Sequence, residues 1–435
     1  MPVLNSRVVR ITVASIVAGA LIGVLGGLFE LMLALANLLR NEVVVRAHAW
    51  HYFGWLIPVV LVSMGAALAR LLVVRISPEA AGSGLQRVEA VLAGEVKPAG
   101  MAILPVKFFG GLLAIGSGLA LGREGPMAQM GASVASLTSR FLVHHDEDAK
   151  VIDAAGAGAG IAVAFNAPIG GSIFVFEELT SSFTPWLLVA TLAAAVTAVW
   201  AMRAIVGNHL DFRVPEIGMP PVWKLWPFLL LGSLLGIVGA FYNKLIVRLL
   251  RLSGHLARLN SVQGAALIGA SIGLIAWVAP NLVGGGDNLT ESVLSGSYGI
   301  PMLAVVFGVR FVLGPWSYAA GTPGGLFAPM LVLGASFGAL FGQVLGHFVP
   351  GVAVSPVACA VIGMAALFSA CVRAPLTGIV LTVEMTGRAD LTLGLLGGSL
   401  AAMVVAMLLK SEPIYETLKR QMLERQALTE RAAQD

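Results

Sequence analysis

Charge is what this sequence has least of. Asp, Glu, Lys and Arg make up 11% of its 435 residues, where a soluble globular chain carries about 25%. Residues 11–29, 51–69, 154–176, 179–202, 225–243 and 391–409 contain none of the four, and none stands between Arg310 and Arg373. Most of these runs reach the roughly 20 residues that cross about 30 Å of hydrocarbon. The mean hydropathy is +0.89. A soluble fold is excluded. The alternating short strands of a membrane β-barrel are missing as well, and backbone groups in lipid must be paired internally. What is left is an all-α polytopic membrane protein.

Other absences narrow the function. There are 2 cysteines. Cys359 and Cys371 lie in the charge-free stretch and read as buried apolar side chains, with no bridge and no metal site. The seven histidines form no HExxH; His48, His51, His144 and His145 fall near span ends. No GK[ST] phosphate loop occurs, and Gly156-x-Gly158 runs through an apolar span. An intramembrane enzyme needs a nucleophile–base pair or a metal set, so the chain reads as no enzyme, with no metal and no cofactor. The apolar run after Arg7 and Arg10 has no small-residue cleavage site and is expected to be a retained span. Arg7, Arg10, Lys410, Lys419, Arg420, Arg425 and Arg431 flank the outermost spans, which places both termini in the cytoplasm. The net charge of +4 reflects these flanks, and no nucleic-acid partner is expected.

What is present is a repeat. GREGPMAQMGAS (122–133) matches GLFAPMLVLGAS (325–336) at an offset of 203, and NAPIGGSIFVFEE (166–178) matches RAPLTGIVLTVEM (373–385) at 207. Two matches in the same order at nearly one offset mark a tandem duplication. The halves run about 8–207 and 222–409, joined by the polar, Pro-rich linker GNHLDFRVPEIGMPPVW. A charged helix follows at 411–435, with no large soluble domain and no CBS domains expected. Duplicated halves are a common build of secondary transporters, with the substrate site at the midplane between them. An inverted arrangement needs an odd number of crossings per half.

In each half the motif sits where a full span fails. Arg123 and Glu124 split two apolar runs (108–122 and 125–139), and Gly122, Gly125 and Pro126 break the helix there. Gly321, Pro323, Gly324, Gly325 and Pro329 do the same in the second half, and AAGSGLQ (80–86) is a third interruption. A helix that starts inside the membrane leaves free N–H groups and a partial positive charge at its N-terminus. Several such ends aimed at one spot hold a small anion without a full positive charge. The candidate donors are the amides at Ser83, Glu124 and Leu326–Phe327. Glycines that merely allow close helix packing are the plainer reading, but it does not explain a clustered Gly/Pro break in both halves.

A carboxylate at membrane depth marks function by default. Glu124 sits at a helix break, where its carboxylate can take the anion's own place until it is protonated. Glu177 and Glu178 end another apolar run, as a second proton acceptor or as helix-end charges. Lys107 and Arg123 either raise the potential along the anion route or pair with Glu89 or Glu384 as structural ions. The pairing is the preferred reading for Arg310 and Arg373.

GSG (82–84), GREGP (122–126), GGLFAP (324–329) and Tyr415 in EPIYETL together resemble the CLC family of chloride channels and proton/chloride antiporters. FNAP (165–168), VGGG (283–286) and RAPLTG (373–378) extend the resemblance over nearly the whole chain. It implies two inverted halves, a homodimer with one pathway per subunit, and residence in a bacterial inner membrane. Chloride and protons would be the transported ions. It also implies that the Ser83 and Tyr415 hydroxyls and the Leu326 and Phe327 amides bind chloride, with Gly125 beside them. Glu124 would be the gating glutamate and Glu178 the internal proton-transfer glutamate, with Arg123, Lys107 and Glu177 in support. The family motif reads GSGIP where this chain has Leu85 and Gln86, which restores a backbone N–H and a polar side chain. Glu124 together with Glu178 favours proton/chloride antiport, with passive permeation on the same fold or exchange of another small anion as the alternatives.

Overall fold

The structure, a computed structural model, describes residues 2–50, 52–143, 145–218, 223, 225–256, 261–349 and 354–434. His51, His144, linker positions 219–222 and the side chain of Arg431 lie outside the described residues. The first half holds α1 (Pro2–Ala47), α2 (Leu56–Arg75), α3 (Leu85–Leu92), α4 (Ile103–Ser117), α5 (Glu124–Leu142), α6 (Asp146–Ala164), α7 (Pro168–Phe174) and α8 (Pro185–Val206). The second holds α9 (Trp226–Leu256), α10 (Ser261–Val278), α11 (Asp287–Leu294), α12 (Ile300–Tyr318), α13 (Phe327–Phe348), α14 (Pro356–Val372), α15 (Pro375–Thr386) and α16 (Thr392–Leu408). A last helix, α17 (Ile414–Gln434), follows. Eight of the described helices are long and apolar enough to cross a membrane.

Local chemistry sets the boundaries. Proline occupies the first turn of α7, α8, α12, α14 and α15, where its missing N–H costs nothing and its φ is already helical. One expected run divides: residues 154–176 form no single span, because α6 ends at Ala164 and Pro168 opens α7. Asn166 between them takes φ +50°, and Arg373, its counterpart 207 residues on, takes φ +77°.

Packing repeats with the sequence. α5 lies on α6 as α13 lies on α14, and α1 on α8 as α9 on α16, while α2–α10 and α7–α15 join the halves. The α13–α14 crossing is so close that a Cβ on Gly334 would run into the Gly363 carbonyl, the small-residue contact by which membrane helices approach. The inversion shows where the two breaks meet. The Gly122 amide donates to the Gly325 carbonyl at 2.9 Å, and the Gly325 amide donates back at 2.8 Å. Equivalent residues paired antiparallel place a two-fold relation between the halves along this contact.

Candidate functional site

The site is built on three helix starts. Gly82 (φ +66°) and Gly84 (φ +86°) turn the chain through the left-handed region, where a side chain would be strained. They leave Ser83 fully buried just before α3. Glu124 is the first residue of α5 and is fully buried. Its Oε1 accepts the Ala328 amide at 3.1 Å, in the first turn of α13, and the Phe327 amide bears on the same carboxylate. A Cβ on Gly325 would stand 2.6 Å from Oε1, so glycine there admits the carboxylate between the halves. Each helix start carries roughly half a positive charge, and Glu124 lies against two of them.

The fourth contributor is Tyr415, brought back by α17 and fully buried. Its ring stacks on Phe327 at 5.9 Å, and Phe327 also packs on Phe165, Phe174 and Phe368. The Tyr415 and Ser83 hydroxyls lie within reach of each other. Neither makes a hydrogen bond of normal geometry among the described residues, and neither does Glu124 Oε2. Buried hydroxyls without partners cost about 1–3 kcal/mol each, so their retention at one spot points to a ligand. Gly125 is pressed against Ser83, and Leu326 is buried at the start of α13. Ser83, Glu124, Gly125, Leu326, Phe327 and Tyr415 are thus brought together.

The surrounding charges differ from expectation. Lys107 pairs with neither Glu89 nor Glu384. Its Nζ, fully buried, donates to the Gly82 and Ser83 carbonyls at 2.8 and 3.0 Å, with no carboxylate partner among the described residues. The amine therefore lies beneath the Ser83 turn with carbonyls, and no carboxylate, against it. Arg123 is the opposite case, since Glu30 at 3.0 Å and Asp211 at 3.6 Å neutralise it. Arg310 donates to the Gly284 carbonyl, and Arg373 to those of Met403 and Ser411. These two arginines bind backbone carbonyls where ion pairs were expected, because buried chain breaks expose unpaired C=O groups that need donors. Glu384 accepts the amides of Ile169 and Gly170, and Glu177 those of Leu376 and Thr377. Glu177 is therefore a helix cap on α15. Glu89 binds Lys419 at 2.8 Å. Partial burial works against the Lys419 charge, but Glu89 and Glu95 outweigh it and hold the ammonium above the usual lysine value.

Glu124 and Glu178 face different cavities. Glu178, in the π-turn Val175–Leu179, lines one of about 460 Å³ with Glu89, Lys150, Ser181 and Lys419. Glu124 lines one of about 370 Å³ with Glu30, Arg123, Asp211 and Asp287. Lys150 and Ala164, near opposite ends of α6, belong to the first and second cavity respectively. At 1.5 Å per residue the two lie about 20 Å apart along the helix. A third cavity of about 920 Å³ opens on the Gly82–Gln86 turn from the side of α17. Glu30, Asp211 and Asp287 escaped the sequence reading. Asp287 was accessible to it, since GGGDN (284–288) stands at an offset of 202 from GSGLQ (82–86). Asp211 had no such signal, being delivered by the linker, which Phe212 ties to the Met385 carbonyl.

Comparison with known proteins agrees with this geometry. The family model described as "Voltage gated chloride channel" matches residues 65–407. The "H(+)/Cl(-) exchange transporter ClcA" of Vibrio parahaemolyticus is 37% identical, over 97% of this chain and 93% of the relative. The protein of the same name from Vibrio cholerae is 38% identical over 95% of this chain and 91% of its own. Among solved structures, a "slow cyanobacterial Cl-/H+ antiporter" superposes with a TM-score of 0.92 at 33% identity, covering 96% of this chain and 99% of that one. A "CLC-type fluoride/proton antiporter" shares the fold alone, with a TM-score of 0.78 at 21% identity over 93% and 96% of the two chains. With the family match spanning most of the chain and the helix breaks built as that fold requires, this protein is a member of the voltage gated chloride channel family.

Proposed function

We propose that this chain exchanges chloride for protons across a bacterial inner membrane. The observation that carries the reading is the Glu124 carboxylate, buried against the amides that open α13 and adjoining the Ser83–Tyr415 hydroxyl pair. An ionised Glu124 occupies amide donors that an anion would otherwise use. Protonation cancels its charge, weakens its hold on them, and lets an anion replace it. The neutral acid carries one proton, so the movements of the two ions are linked at one side chain. Glu178, in a separate cavity, serves as the second proton acceptor. Chloride rests on the Ser83 and Tyr415 hydroxyls and the Leu326 and Phe327 amides, beside Gly125. Lys107 supplies positive potential from below.

The relatives named as H(+)/Cl(-) exchangers support this reading. Transport of this kind uses no cofactor and changes no covalent bond. The basic flanks support a cytoplasmic position for both termini. We also read the protein as a homodimer with one pathway per subunit. Its contact face combines the exposed apolar residues Ile169, Val196, Leu376 and Leu400 of α7, α8, α15 and α16, four helices that pack together.

The test is a purified reconstitution. Vesicles with an imposed chloride gradient should drive protons uphill. Glu124→Gln should abolish proton movement and leave chloride flux. Chloride flux without proton movement in the parent protein would replace antiport by passive permeation on the same fold.

A further inference from the structure

Ser83 has two donors, and they meet different tyrosines. Its hydroxyl looks toward Tyr415. Its amide donates to the Tyr318 hydroxyl at 3.3 Å, on the side of the large cavity beneath α17, which both Gly82 and Tyr318 line. Tyr318 ends α12 and is 4% exposed. The fit against the turn is tight, because a Cβ on Gly82 would stand 2.8 Å from the Tyr318 hydroxyl. Gln86 lines the same cavity and reaches the same hydroxyl. Its own Oε1 is buried without a partner among the described residues. The position is the one where the GSGIP pattern has a proline, which offers neither an N–H nor a polar side chain.

We propose that Tyr318, with Gln86 beside it, is an inner latch on the anion route. Resting on the anion-exchange reading above, the latch works by competition for one donor. The Tyr318 hydroxyl holds the Ser83 amide, and an anion arriving from the α17-side cavity must displace it before that amide can bind it. Gln86 gives the displaced hydroxyl an alternative partner, which keeps the displacement reversible. Arg70, bound to the Gly321 carbonyl in the wall of that cavity, draws anions to this point, while Arg87 beside it is paired with Glu79 at 3.1 Å. Tyr318 is a positioning residue: it sets how readily the turn accepts an anion from one side, and has no part in proton transfer.

The experiment is chloride exchange by the reconstituted full chain, with the anion concentration varied separately on each face. Tyr318→Phe should lower the KM on the α17 face by about three- to tenfold, the worth of one neutral hydrogen bond. The KM on the other face and the proton-to-chloride ratio should not change. Gln86→Ala, at a partly buried position, should raise the same one-sided KM by a smaller factor of about two to three, since the displaced hydroxyl loses its alternative partner. Equal effects on both faces, or no change in KM for either variant, would overturn the latch while leaving exchange intact. If Tyr318→Phe does not fold, Gln86→Ala alone decides, an unchanged one-sided KM rejecting the proposal. Absence of chloride flux in the parent protein would sink the exchange reading and the latch with it.

Discussion

Glu177 and Glu384 make the same contact in opposite directions. Glu177, at the end of the first half's helix pair, accepts the amides of Leu376 and Thr377 that open α15, at 3.0 and 2.7 Å. Glu384, 207 residues later, accepts the amides of Ile169 and Gly170 that open α7, at 3.1 and 2.6 Å. Each carboxylate satisfies donors that a helix start leaves unpaired, and each lies where the dipole favours negative charge. The duplicated sequence thus closes on itself.

Glu177→Ala should therefore lower stability and leave coupling alone. Hydrogen bonds to charged acceptors are worth about 1.5–3 kcal/mol each, and half-burial of the pair reduces the sum. A loss of about 2–3 kcal/mol is expected, read as a lower midpoint of thermal unfolding in detergent. The proton-to-chloride ratio of the surviving protein should match the parent. A variant that folds normally but moves no protons would make Glu177 part of the proton route.

Lys107 invites a prediction in the other direction. A buried amine with no acid partner is costly to keep out of water, and Lys107→Met removes that cost along with the tether to the Gly82 and Ser83 carbonyls. Thermal stability should stay within about 1 kcal/mol of the parent, because the two effects oppose each other. Chloride affinity should fall about tenfold, since the positive charge under the Ser83 turn is gone. Titration calorimetry with chloride measures it. Unchanged affinity would reduce Lys107 to a structural donor like its counterpart Arg310, which makes the equivalent bond to the Gly284 carbonyl at 2.8 Å.

Asp287 opens α11 at the rim of the Glu124 cavity, with Oδ2 folded back toward Gly285 and the Leu121 carbonyl close to the same glycine. It is exposed and makes no ion pair within 4 Å among the described residues, so its charge repels anions approaching Glu124. Asp287→Asn should raise chloride uptake from that face about two- to fivefold at 10 mM ionic strength, where the Debye length is about 30 Å. The gain should vanish near 1 M salt, where it is about 3 Å. A gain that persists in high salt would point to a change in shape.

The fold was legible because membrane chemistry writes itself into composition. Charge-free runs announced spans, and Gly/Pro clusters repeated at one offset announced where spans break. Glu124 stood out for a related reason, as a carboxylate beside a helix break in an apolar region. Tyr318 was hidden, because nothing in the string WSYAAGTPGG says that its hydroxyl meets the Ser83 amide 235 residues away. The partners of Lys107, Arg310 and Arg373 were hidden too. The natural expectation for a buried cation is an acid, whereas unpaired carbonyls at chain breaks served in its place, and these have no sequence signature. Asp211 sat in a polar linker, where composition gives no depth.

Tyr415→Phe offers a test whose sign changes with the anion. The Tyr415 hydroxyl is buried and has no normal hydrogen-bond partner among the described residues. Its deletion should then be neutral or should stabilise the fold by up to about 1 kcal/mol. With chloride bound, the hydroxyl is a donor to a charge, and losing it should weaken binding by about 1.5–3 kcal/mol. Because a ligand stabilises by RT ln(1 + [L]/Kd), melting curves separate the two cases. In gluconate the variant should melt at or slightly above the parent. In chloride at roughly 100 times the parent's Kd, where the parent gains about 2.7 kcal/mol, the variant should gain under half as much. Equal chloride-induced shifts in the two proteins would remove Tyr415 from the anion site and leave its ring contact with Phe327 as its role.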